Sequence, residues 1–261
     1  TLIPQALGLF AFFSSLFFAN PESAMGRETK SYSSGLSQFQ KGNFHQAALL
    51  FRSIHSSSSD SLEKKRASYL LAHSLAQTNK LGESIELFLA SIKSYPEIED
   101  YTRFHLAEVF LNSGKTKEAL EQVNIIHKNF PNTLLLTKSN ILLARILEKN
   151  NKVQTALNVL GETEKRISDH TMGPEHRSYL PEVIFLQGHL YQKFGKRNKA
   201  YDRYRLLHIV FPTHQLTHQA KEEMIKLAKD MAIKIKPLAF NEYEQRAKAL
   251  LRDVEYQQVV S

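Results

Sequence analysis

The side chains best placed for chemistry in this chain are His214, His218 and Glu222, spaced four apart so that a helix would bring them to one face. Two imidazoles and a carboxylate at that spacing could form a zinc site. His214, however, stands just after Pro212, where a helix would start, and its place is that of a loop or capping residue. His170 and His176 lie in a stretch containing Gly173 and Pro174 and form a weaker set. There is no Cys, so disulfides and thiolate ligands are excluded. The chain has no glycine-rich phosphate loop, no HExxH pair and no GxSxG nucleophile turn. The reading is therefore no catalytic constellation, no metal and no cofactor, with recognition by shape left as the function to seek.

The formal charge of +8 could serve nucleic acid, anionic lipid or an anionic polymer. Lys and Arg are spread over every repeat and interleaved with Glu, with no dense basic run, the pattern of solvated helical faces. Nucleic acid is set aside as a partner on that ground. An apolar content of 42% over 261 residues suffices to bury stacked helical faces.

Residues 101–131 organise the rest. Leu106, Ala107 and Phe110 make one apolar stripe and Ala119, Val123 and Ile126 a second. The spacing predicts two helices broken near Ser113 and Gly114 and stopped by Pro131. The same pattern returns with Gly35, Gly42, Ala47 and Phe51, then with Ala72, Ser84, Phe88 and Pro96. It returns again with Ala144, Ala156 and Leu160, and with Gly188, Gly195, Ala200, Tyr204 and Pro212. The small residue opening each second helix is Ala47, Ser84, Ala119, Ala156 or Ala200, in steps of 37, 35, 37 and 44 residues. An insertion at 168–179 accounts for the long last step and is expected to be a loop. Residues 53–60, rich in serine, are expected to form a loop that closes the first repeat, with Asp60 or Ser61 capping the next helix.

On these residues the chain resembles the tetratricopeptide (TPR) family, whose period is roughly 34 residues. Asn79 and Asn151 stand where that family usually has Gly, and the fourth copy lacks a closing Pro. The resemblance implies an all-α fold, a right-handed superhelix of stacked antiparallel helix pairs, or TPR-like α-solenoid. It also implies a concave groove lined by the first helices, taking a protein or peptide partner. One residue and four to five residues past each small packing residue, the groove positions are His73, Gln77, Glu108, Asn112, Arg145, Glu148, Lys149, His189, Gln192 and Lys193. Arg145, Lys149 and Lys193 predict a groove that is net basic toward its C-terminal half and prefers an acidic group.

Three segments follow. Residues 1–24 hold an apolar run, 7–19, that looks like a secretory signal, implying an exported, periplasmic protein; an uncleaved membrane anchor is the alternative. Residues 30–235 are the solenoid of about five repeats plus a following helix, with Leu216, Ala220, Met224, Leu227 and Met231 or Ala232 on its inner face. Residues 236–261 read as the start of a further, truncated repeat, with Ala247, Leu250 and Leu251 in its first helix and a second helix opening at Tyr256. In that last segment Glu242 or Glu244, Arg246, Ala247, Leu250 or Leu251 and Tyr256 resemble the helical N-terminal region of soluble lytic murein transglycosylases. That resemblance implies peptidoglycan as a second candidate partner, with any catalytic domain lying beyond residue 261. An adaptor in outer-membrane assembly is a third reading.

Overall fold

Five turns share one backbone device. Gly42, Asn79, Gly114, Asn151 and Gly195 all take positive φ, between 59° and 76°. At each turn two backbone bonds close the preceding helix, as when Gly114 N donates to the Leu111 carbonyl at 3.1 Å and Lys115 N to that of Phe110 at 2.8 Å. These bonds satisfy carbonyls that have run out of intrahelical donors. Asn79 and Asn151 make the same pair of bonds, so the two departures from glycine leave the turn unchanged. Asn is among the residues that best tolerate this left-handed conformation without being glycine.

The computed structural model describes residues 30–58 and 61–260, with side chains as far as Asp253. The apolar run 7–19 and the expected cap at Asp60 lie outside the described residues. Among these residues there are twelve α-helices and no strand. Five pairs cover the repeats: α1 (Lys30–Gln40) with α2 (Phe44–Ser57), α3 (Ser61–Gln77) with α4 (Leu81–Ser94), α5 (Glu99–Asn112) with α6 (Thr116–Asn129), α7 (Leu136–Lys149) with α8 (Val153–Ser168), and α9 (Leu180–Lys193) with α10 (Arg197–Val210). Then come α11 (Gln215–Asp230) and α12 (Phe240–Val260). The second helices of four repeats have 14 residues, whereas α8, which lacks the closing proline, runs to 16.

By internal packing the chain divides into two compact units, one ending at Ile126 and the other beginning at His127. In the first, α1 to α5 pack on one another in succession, Arg103 of α5 donates to the Gln122 side-chain oxygen of α6 at 2.7 Å, and the first helices of neighbouring repeats also touch, α1 on α3 and α3 on α5. In the second the same rule joins α7, α8, α9, α10 and α11, with α7 touching α9 and α9 touching α11. This is the expected all-α stack of helix pairs. Ala47, Ser84, Ala119, Ala156 and Ala200 are all fully buried at 0% exposure, so a small residue is required where the two helices of a pair meet. Ser84 meets the requirement by donating its hydroxyl to the Ala72 carbonyl at 2.7 Å. In the second unit Leu216, Ala220, Met224 and Leu227 of α11 cover Ala200, Tyr204 and Leu207 of α10. Met231 completes that face, while Ala232 turns outward with positive φ as the helix ends.

Three expectations are corrected. α2 continues through the serines to Ser57, its backbone ladder running on until Ser58 N donates to the Ile54 carbonyl at 2.8 Å, and the hydroxyls of Ser56 and Ser57 bond to the carbonyls of Arg52 and Ser53 at 3.0 and 2.7 Å. The insertion is more than an open loop: a short 3₁₀ turn, Pro174–Tyr179, buries His176, whose Nδ1 lies 2.9 Å from the Thr137 hydroxyl. Finally, α12 is one unbroken helix through Tyr256, and it turns Ala249 inward while Ala247, Leu250 and Leu251 face solvent. The cause is Arg205 of α10, which grips the Glu242 carboxylate at 2.7 Å and the carbonyls of Lys236 and Pro237 at 2.7 and 2.9 Å. Arg246 adds a bond to the His208 carbonyl. These contacts draw α12 back onto α10.

At Gly114 no atom lies within 4 Å of the position a Cβ would take. Gly114→Ala should therefore cost only the conformational penalty, roughly 1 kcal/mol, and Gly114→Asn should cost clearly less. Urea unfolding checks both. An Asn variant as unstable as the Ala variant would contradict a shared turn geometry.

Candidate functional site

The outward face of the first helices is the candidate site, and the two units furnish it differently. In the first unit α3 and α5 bring aromatic and imidazole rings together. His73 is 5% exposed, so it is a core residue and not the expected groove contact. Its ring meets Phe39 edge-on at 5.1 Å and His105 at 4.7 Å, and its Nδ1 has no hydrogen-bond partner. Burial, with the nearby His105, holds its pKa well below the usual histidine range. Glu108 is half-buried and bonds to His105 Nδ1 at 2.8 Å. Gln77 and Asn112, at the ends of α3 and α5, are exposed.

In the second unit the same face is a ladder of charge pairs. Arg145 of α7 reaches Glu182 of α9 at 2.8 Å. Glu148 accepts from both His189 Nε2 at 3.1 Å and Lys193 Nζ at 3.0 Å. Those two donors, His189 first, pull the Glu148 pKa down to about 2. Gln192 donates to Glu223 of α11 at 3.2 Å and accepts from the Tyr204 hydroxyl at 3.2 Å. Lys149 is exposed. The structure thus brings Arg145, Glu148, His189, Gln192 and Lys193 onto one surface.

The expected basic excess is corrected by residues the sequence reading did not name. Glu182 neutralises Arg145, and Lys193 shares Glu148 with His189, so two of the three cations are already paired. The missing signal was periodic: Glu182 lies six residues before Gly188, an offset that falls on the same helical face as the positions after it. Such half-exposed pairs add at most about 1 kcal/mol each. Their larger effect is to fix how neighbouring first helices are turned relative to one another.

Among the described residues no group of three or more His, Asp or Glu could hold a metal ion. His214 caps α11, its Nδ1 accepting from Leu216 N at 3.2 Å, and exposed His218 faces Glu222 at 3.5 Å. No described helix is long and apolar enough to cross a membrane.

His55, His73, His127, His176, His208 and His214 all have pKa values lowered, with burial as the largest cause. A histidine harder to protonate when folded leaves the unfolded chain to bind the proton first. Its contribution to stability is intact above the ordinary value of about 6.5 and is lost as pH falls below it, by up to roughly 1.4 kcal/mol per pH unit for the fully buried His73 and by less for the others, which lie less deep. The melting temperature should therefore fall between pH 7 and pH 5, and His73→Leu should flatten that slope. A melting temperature that does not change over this range would contradict the assigned burial.

No protein-family model and no curated protein matches the chain. Solved structures do. RapI in its apo form aligns with TM-score 0.62 at 14% identity, over 86% of this chain and 63% of that one. A kinesin light chain from Podosopora anserina with nearly identical TPR-like repeats aligns with TM-score 0.54 at 15% identity, over 77% and 94%. The thermophilic TPR protein TTC0263 of Thermus thermophilus aligns with TM-score 0.53 at 14% identity, over 78% and 98%. At such identities the likeness speaks for the fold. Together with the repeated turns and the buried small residues, it makes this chain a TPR-like helical-repeat protein.

Proposed function

We propose that this chain is a non-catalytic protein-interaction scaffold that takes an extended peptide across the first-helix face of its second unit. The observation that carries the reading is the ladder of pairs from Arg145 to Glu223. Side chains already held in place lose little conformational entropy when a ligand arrives, which favours binding. His189, Lys193 and Lys149 leave donors exposed beside that fixed framework. The apolar run 7–19 supports an exported, periplasmic setting for the scaffold.

A second reading is the non-catalytic helical portion of a peptidoglycan lytic transglycosylase. It is favoured by Glu242 and Arg246, two residues of the resembling segment, which both anchor α12 to α10. Binding to purified peptidoglycan sacculi separates the two readings.

Peptides selected from a random library against the folded protein should lose about tenfold in affinity, roughly 1.4 kcal/mol, when Lys149, His189 and Lys193 are all changed to Ala. The melting temperature should stay within a few degrees. Unchanged affinity, or loss only from substitutions on the second helices, would contradict the proposed face.

A further inference from the structure

Beside the first-helix face of the second unit, an edge of turns carries an excess of positive charge. Residues 193–199 hold Lys193, Lys196, Arg197 and Lys199, four cations in seven residues, all exposed. No Asp or Glu occurs from residue 183 to 201. The preceding turn holds exposed Lys149 and Lys152, again with no acid from 149 to 161. The two turns are neighbours, since Lys193 lies 3.0 Å from Glu148, the residue before Lys149. Glu148 is the acid at this edge, and it is shared between Lys193 and His189.

The arrangement is locally unfavourable. α10 and α8 begin with Lys196 and Lys152 as their N-caps, have no acidic residue in the first turn and have no side-chain cap bond. A helix N-terminus prefers negative charge, so these cations repel both the helix dipole and one another. In the first unit α4 and α6 carry Glu83 and Glu118 at the equivalent place. Beside the cations Phe194 is 44% exposed, with Lys196 Nζ 4.6 Å from its ring centre. An apolar ring among an excess of cations suits a ligand with both carboxylates and an apolar side chain.

We propose that the turn edge formed by Lys149, Lys152, Lys193, Lys196, Arg197 and Lys199 binds an acidic peptide segment of a protein partner. This rests on the proposed function only in taking the partner to be a protein. The edge adjoins the first-helix face and shares Lys149 and Lys193 with it, whereas Lys196 and Arg197, the residues changed below, are not on that face.

The probe is a fluorescent twelve-residue peptide of Glu and Asp with one central Phe, measured by anisotropy on the full chain. Its affinity should fall at least tenfold in the double reversal K196E/R197E and in a peptide with Gln and Asn for its acids. The charge-matched control K165E/R177E, elsewhere in the same unit, should stay within twofold. The melting temperature of K196E/R197E should rise, because the reversal relieves the repulsion, and a folding defect would lower it instead. Equal loss in both double variants would overturn the proposal, as an effect of net charge. Tighter binding of a single-stranded oligonucleotide or of phosphatidylglycerol vesicles than of the peptide would overturn it too. If the library peptides fail on the first-helix face while this probe behaves as described, the edge stands without that face.

Discussion

Two helices can lie only as close as the side chains between them permit, and every repeat here is built on one narrow point of contact. At Gly35 an added Cβ would sit 2.8 Å from the Phe51 ring, and at Gly188 it would sit 2.6 Å from the Tyr204 ring. Phe51 and Tyr204 are almost wholly buried, so their rings have no room to retreat. The small residue on one helix and the large one on the other form a fixed pair; Ala107 and Val123, and Ala144 and Leu160, stand at the corresponding positions of two other repeats and are fully buried. Close contact on the inner side fixes which side chains each helix leaves outside. The outward face is then a consequence of the packing and needs no instructions of its own.

What that face carries differs between the units for a physical reason. Where neighbouring first helices present rings, as with Phe39, His73 and His105, the rings pack and exclude water. Where they present opposite charges, as with Arg145 and Glu182, the charges pair and remain half exposed. Recognition in the second unit therefore depends on donors left over after pairing and on cations that have no acid near them in sequence.

Much of this was legible in the chain. The left-handed turns could be placed from Gly42, Gly114 and Gly195, and the steps between small residues then located Asn79 and Asn151 by register alone. The burial of Ala47, Ser84, Ala119, Ala156 and Ala200 followed from the same register. What could not be read depended on residues far apart in sequence. His73 has an outward offset in its own helix, yet Phe39 and His105, each over thirty residues away, close over it. The net charge of the first-helix face was misjudged because Glu182 and Arg145 are 37 residues apart. The course of α12 was misjudged because Arg205 captures Glu242 across the same distance. The expectation of no dense basic run fails at 193–199, because Glu interleaves with Lys and Arg along most of the chain but is absent from 183 to 201.

The close approach of paired helices is tested most directly by comparing two glycine substitutions in the second unit by urea unfolding. Gly161, in the middle of α8, has no atom within 4 Å of a prospective Cβ, so Gly161→Ala should stabilise by roughly 0.5–1 kcal/mol through helix propensity. Gly188→Ala makes the same gain in propensity but drives a methyl into Tyr204, and it should destabilise by about 1–3 kcal/mol net. Opposite signs at the two sites are the predicted result. Equal stabilisation at both would contradict the account, since it would mean that α9 and α10 do not meet at that point.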